Sequence, residues 1–128
     1  MIIDQNTLLS DIQAAFSNEF QHLRIEFYRT HHDTGEGSAE REKLASDVRV
    51  GDISNAGTSG GLNLNDRQTI SEFEKMLLKM FGLNVQVFRR SGNLWLQTTT
   101  TDNWTLEEAN RKGGRSRELF EEQYNPEK

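Results

Sequence analysis

The residues best equipped for chemistry are His31, His32 and Asp33, followed by Glu36, because imidazoles and carboxylates are acceptable ligands for zinc or iron. Adjacent histidines seldom chelate one ion together. The i,i+4 spacing of a zincin helix is missing, and His22 is the only other histidine. A serine hydrolase would need a Gly-x-Ser-x-Gly elbow ahead of a helix, whereas Gly57-Thr58-Ser59-Gly60 is too compact and leads toward a strand. The same glycines, Gly57 to Gly61, lack the Lys-Ser/Thr ending of a phosphate loop, so no helix dipole supports an anion there. The run Thr98 to Thr101 is explained by β-branched strand residues and a helix cap. With no cysteine in the chain, disulfides, thiolate nucleophiles and Cys-ligated metal sites are excluded. Nucleophile, base and oxyanion donors assemble nowhere. The chain therefore reads as a non-enzyme with no catalytic residue, no metal site and no cofactor.

Composition narrows the partners. The 128 residues leave room for one domain, and 34% hydrophobic with 27% charged residues is an ordinary globular balance. A net charge of -5 disfavours bulk attraction to nucleic acid or to an anionic membrane. The first basic residue is Arg24 and apolar runs are short, so neither a secretory signal nor a membrane span is predicted. A soluble cytoplasmic protein is the expectation.

The elements that would position any site follow from an internal resemblance of residues 2–28 to residues 63–88, at an offset of 61 falling to 60. Leu9-Ser10-Asp11-Ile12-Gln13 matches Ile70-Ser71-Glu72-Phe73-Glu74, and Phe16 and Phe20 match Leu77 and Phe81. Each unit predicts a short strand, a helix with its apolar stripe at spacings of three and four, and a second strand over 23–28 or 83–88. Thr69 with Glu72 and Thr105 with Glu108 carry the capping-box spacing, and Gly82 stops the helix before it. Arg90-Ser91-Gly92-Asn93 predicts a hairpin turn into Leu94-Trp95-Leu96, with Leu94 and Leu96 as a core pair. Tandem βαβ units predict an α+β, ferredoxin-like fold: helices on one face of a mostly antiparallel sheet, an extra hairpin strand and a C-terminal helix. The expected partition of the single domain is a first unit over 1–29, an insertion over 30–60, a second unit over 61–90, the extra strand over 93–99 and a helix and tail over 104–128. Within the insertion, Glu40 to Asp47 reads as helical and Val48 to Val50 as extended. Gly113-Gly114 is expected to interrupt the last helix.

Strand alternation assigns sides. With Leu23, Ile25 and Phe27 toward the helices, Arg24, Glu26 and Tyr28 point to the open face, joined by Gln86, Phe88, Trp95 and Gln97. Three aromatics on a face without helices predict that something lies on it, either part of the chain itself or a partner. The expected contacts are Tyr28, Phe88 and Trp95 as anchors, rimmed by Arg24, Gln86, Arg89 and Arg90, for a protein partner or a homodimer. The alternative is single-stranded nucleic acid stacked on the rings and held by the basic tail Arg111, Lys112, Arg115 and Arg117. It is the weaker reading, because no ribonucleoprotein string is present and Glu107, Glu108, Glu118, Glu121 and Glu122 interleave with those cations. The stretch from Phe81 through Leu96, continuing through Trp104-Thr105-Leu106-Glu107-Glu108, resembles a family of small bacterial proteins of unassigned activity. That resemblance implies a small bacterial cytoplasmic protein and no catalytic residue.

Overall fold

A computed structural model describes residues 1–29, 37–54 and 59–124. The chain order is β1 (Ile2–Ile3), α1 (Leu9–Glu19), β2 (Leu23–Tyr28), a 3-10 turn (Glu40–Glu42), α2 (Val50–Ile53), β3 (Gly60–Gly61), α3 (Ile70–Phe81), β4 (Asn84–Ser91), β5 (Leu94–Gln97) and α4 (Leu106–Tyr124). The class is α+β. Its strands form two antiparallel sheets, β1 with β3 and, separately, β2-β4-β5. The single broad sheet expected from tandem βαβ units is divided, because β1 and β3 are two residues long and pair only with each other.

The core lies between α1, α3 and one face of β2 and β4. Leu9, Ile12 and Phe16 from α1 meet Ile70, Phe73, Leu77 and Phe81 from α3, and the Phe16 and Phe73 ring centroids are 4.9 Å apart. Below them lie Leu23, Ile25, Phe27, Val85 and Val87, as alternation requires. Leu106 and Ala109 bring the start of α4 into the same cluster. Leu94 and Leu96 do not join it, although they project to the helix-bearing side. They are 60% and 45% exposed, because β5 reaches past the helices that cover β2 and β4.

Helix starts are clasped in pairs. Leu9 and Ser10 donate their N–H groups to the carbonyls of Val48 and Ser46, while Val50 and Gly51 donate to those of Thr7 and Gln5. The same bonds recur when Ile70 and Ser71 donate to Trp104 and Asp102, and Leu106 and Glu107 to Gln68 and Asp66. Each bond satisfies an amide that an isolated helix would leave open. Where the residue before the helix is threonine, its hydroxyl accepts from the third amide: Thr69 from Glu72 and Thr105 from Glu108, both at 3.1 Å. Where it is Leu8 or Arg49, the acid three residues on, Asp11 or Asp52, accepts from its N–H instead, each at 3.3 Å. This clasp overrides the extended reading of 48–50, which becomes the entry to α2. Of the stretch 40–47 only the 3-10 turn is helical, since Leu44 and Arg29 bond across to Phe27 and Glu42 and draw the chain along β2.

Two glycines at positive φ set the β4 ends. Gly82 (φ 66) closes α3, and Gly92 (φ 61) is the first central residue of the two-residue hairpin, the position a type II′ turn requires. Gly113 and Gly114 do not interrupt α4, which runs through them. A Cβ on Gly113 would lie 3.0 Å from the His22 carbonyl oxygen, and one on Gly114 would lie 2.7 Å from the His22 ring. They are there for close approach: the helix rests on the start of β2, where Asn110 Oδ1 also accepts from His22 N–H at 2.9 Å.

Candidate interaction face

The face of β2-β4-β5 away from α1 and α3 carries Arg24, Glu26 and Tyr28 opposite Phe88, Gln86 and Asn84, and then Arg90 opposite Trp95 and Phe88 opposite Gln97. Arg24, Phe88, Trp95 and Arg90 come together as one cluster. The Arg24 guanidinium lies 5.6 Å from the Phe88 ring centre and 5.1 Å from that of Trp95, while Arg90 approaches Trp95 at 5.2 Å. Trp95 is thus bracketed by two cations, each attracted to the negative face of its π-system. No carboxylate among the described residues forms an ion pair with either arginine, and the buried Nε of Arg24 has no hydrogen-bond partner. This end of the face is cationic in a chain of net charge -5.

The other expected contacts separate from this cluster. Gln86 is fully buried: its amide donates to the Val87 carbonyl at 3.0 Å, and Ser38 donates its hydroxyl to Gln86 Oε1 at 3.3 Å. Ser38 is also clamped by Gln97, which accepts from its N–H at 2.9 Å and donates to its carbonyl at 2.8 Å. Residues 37–39 therefore cross this face and remove Gln86 from any rim. Tyr28 is on the predicted side but only 2% exposed, with its hydroxyl unpartnered. Burial, reinforced by the charges of Glu26 and Glu40, pushes that hydroxyl up to about 12. Phe88 is 8% exposed, so of the three aromatics Trp95 alone stays partly exposed. Arg89 belongs to the opposite face, because it is in register with Leu23 and Leu96. There its guanidinium lies 5.3 Å from the Trp104 ring centre, with Lys112 Nζ at 5.1 Å from the same ring.

Three further features escaped sequence reasoning. Ser38 gave no signal. Glu74 occupies a helix position that amphipathic counting assigns to the margin, yet it is buried and accepts from Val87 N–H at 2.9 Å. Burial pushes its carboxyl up to about 8, the Val87 hydrogen bond opposing and the nearby Asp102 charge reinforcing the shift. Beside it Thr98 donates to the Val87 carbonyl at 3.0 Å and approaches Asp102 at 3.5 Å. The third is a shallow groove lined by His22, Asn110, Arg111, Lys112, Arg115 and Glu118, which gathers part of the basic tail on α4. Of the tail's expected ion pairs, Arg117 meets Glu121 at 3.0 Å.

His31, His32, Asp33 and Glu36 lie outside the described residues, as do Gly57 and Thr58. Among the described residues no three metal-ligating side chains converge, and no helix is long and apolar enough to cross a membrane. Comparison of the chain with protein-family models, with curated proteins and with solved structures finds no match.

Proposed function

We propose that this protein is a non-catalytic interaction module, an adaptor, assembly or regulatory subunit, that docks a protein partner on the β5 side of its sheet. The observation that carries this reading is the partly exposed Trp95, held between Arg24 and Arg90 on the edge strand whose Leu94 and Leu96 are exposed on the opposite side. A large ring fixed by its neighbours gives much contact area at little cost in side-chain entropy, and arginine and tryptophan are the residue types that dominate binding energies. The clasps repeated in the two halves support the view that the chain is built from two copies of one unit, in the manner of ferredoxin-like proteins. A cytoplasmic location fits the absence of cysteine.

Photo-crosslinking in the native host tests the reading. A benzophenone amino acid at position 95 is expected to trap a defined protein, and the adduct should fall about tenfold when Arg24→Glu and Arg90→Glu are added, a loss near 1.4 kcal/mol. The same probe at Met80, exposed on α3, should trap nothing comparable. Equal adducts from both positions, or none from 95, would overturn the assignment. Salt-sensitive retention of single-stranded oligonucleotides, lost in Trp95→Asp, would transfer the face to nucleic acid.

A further inference from the structure

The two edges of the three-stranded sheet are treated differently by the fold. Along β2 the outward carbonyls are occupied: Leu23 accepts from Ser17 Oγ at 3.3 Å, Ile25 from Gln13 Nε2 at 2.9 Å, and Phe27 from Leu44 N–H at 2.8 Å. Along β5 no described residue occupies them. The hairpin pairs Leu94 with Ser91, and Thr98 N–H donates to Val87, so the main-chain groups of Leu94, Leu96 and Thr98 turn inward to β4. Those of Trp95 and Gln97 consequently turn outward, and no described residue bonds to them. Natural edges are blunted by lysine, proline, bulges or an overlying segment. The run Leu94-Trp95-Leu96-Gln97-Thr98-Thr99 contains no charge and no proline, and its two leucines are largely exposed.

We infer that β5 pairs antiparallel with β5 of a second copy of this chain about a two-fold axis at Leu96, joining two sheets into one. The inference deepens the interaction reading above and rests on it. An outward-facing backbone edge specifies an extended strand as its occupant, and the residues of β5 make that strand self-complementary. With the axis at Leu96, the outward groups of Trp95 meet those of Gln97 in the second copy, and the reverse. Leu96 then faces its own equivalent in a non-hydrogen-bonded pair, where side chains approach most closely, and Leu94 faces Thr98. No like charges meet across the axis, because the strand has none. On the far face Trp95 lies beside Gln97 of the other copy, whose side chain Ser38 holds while its main chain stays open, and Arg24 and Arg90 remain over the Trp95 ring. Such an interface is small, so the dissociation constant should be on the order of 10–100 μM.

The native chain has no cysteine, so one introduced thiol reports alone. Leu96→Cys, treated with copper phenanthroline as oxidant at high protein concentration, is expected to form a disulfide-linked dimer at least tenfold faster than Leu119→Cys, whose parent residue on α4 is somewhat more exposed. By sedimentation the wild type should move from 14.7 kDa toward twice that mass on concentration. Leu96→Lys should stay monomeric while keeping the wild-type unfolding midpoint, since the position is exposed. Mixing Leu96→Lys with Leu96→Glu should restore the dimer, an outcome that only a shared axis at this residue produces. A wild-type monomer at every concentration, or equal crosslinking at 96 and 119, overturns the self-pairing. If the crosslink at position 95 to another protein persists in that case, the interaction reading stands and only the identity of the occupant is wrong.

Discussion

Glu74→Gln is expected to abolish most of the change in stability between about pH 4.5 and pH 8, and to leave the variant roughly 2–4 kcal/mol more stable than wild type at the upper end. The sign follows from the direction of the shift. Glu74 holds its proton in the fold up to about pH 8 but releases it near 4.5 when unfolded, so the native state binds more protons across that interval. Wild-type stability from this group is complete at the acidic end and is lost as pH rises through 8. Glutamine keeps an oxygen to accept from Val87 N–H, as the Glu74 carboxyl does at 2.9 Å, and cannot ionise. The other displaced groups act elsewhere: Tyr28 titrates near 12, and Lys43 is raised by its hydrogen bond to Glu40. Urea unfolding at a series of pH values provides the check. Parallel curves for variant and wild type would mean that Glu74 is solvated or compensated.

Gly113→Leu is expected to destabilise the fold by about 3 kcal/mol, as overpacking of a closed contact does. The atoms a side chain would strike are stiff: the His22 carbonyl oxygen at 3.0 Å, His22 Cβ at 3.1 Å and Arg90 Cβ at 3.4 Å from the first added carbon. Moving any of them separates α4 from the β2-β4 ladder, where Arg90 N–H donates to the same His22 carbonyl at 3.0 Å. Gly114→Ala provides the contrast. Its nearest neighbours belong to the His22 imidazole, which can rotate, while replacing glycine inside a helix returns about 1 kcal/mol of propensity. It is expected to be neutral or mildly stabilising. Denaturant midpoints that rank the two variants the other way would show that α4 does not depend on close approach at Gly113.

Local periodicity made most elements legible. The stripes Leu9-Ile12-Phe16 and Ile70-Phe73-Leu77-Phe81 announce α1 and α3 because burial selects one face of a helix, and alternation in 23–28 correctly places Arg24 and Tyr28 together. Alternation fails at Leu94 and Leu96 for a different reason. It gives the side of a sheet, and whether that side is covered depends on where the helices end. Gly113-Gly114 reads as a break from propensity alone, whereas the need is tertiary and stands about 90 residues away at His22. The crossing of residues 37–39 over Gln86 depends on polar pairing of Ser38 with Gln97, which no spacing rule encodes. Arg89 does not share the face of its neighbour Arg90. Adjacent strand residues face opposite ways, and Arg89 goes with Trp104.

The docking of a strand on β5 is tested most directly by amide hydrogen exchange at Trp95 and Gln97. Their N–H groups point away from β4, whereas that of Thr98 already bonds to Val87. With rising protein concentration the amides of Trp95 and Gln97 should become protected, approaching the slow exchange expected of Thr98 throughout. Free exchange at both positions, at every concentration and with the crosslinked partner added, would contradict the account.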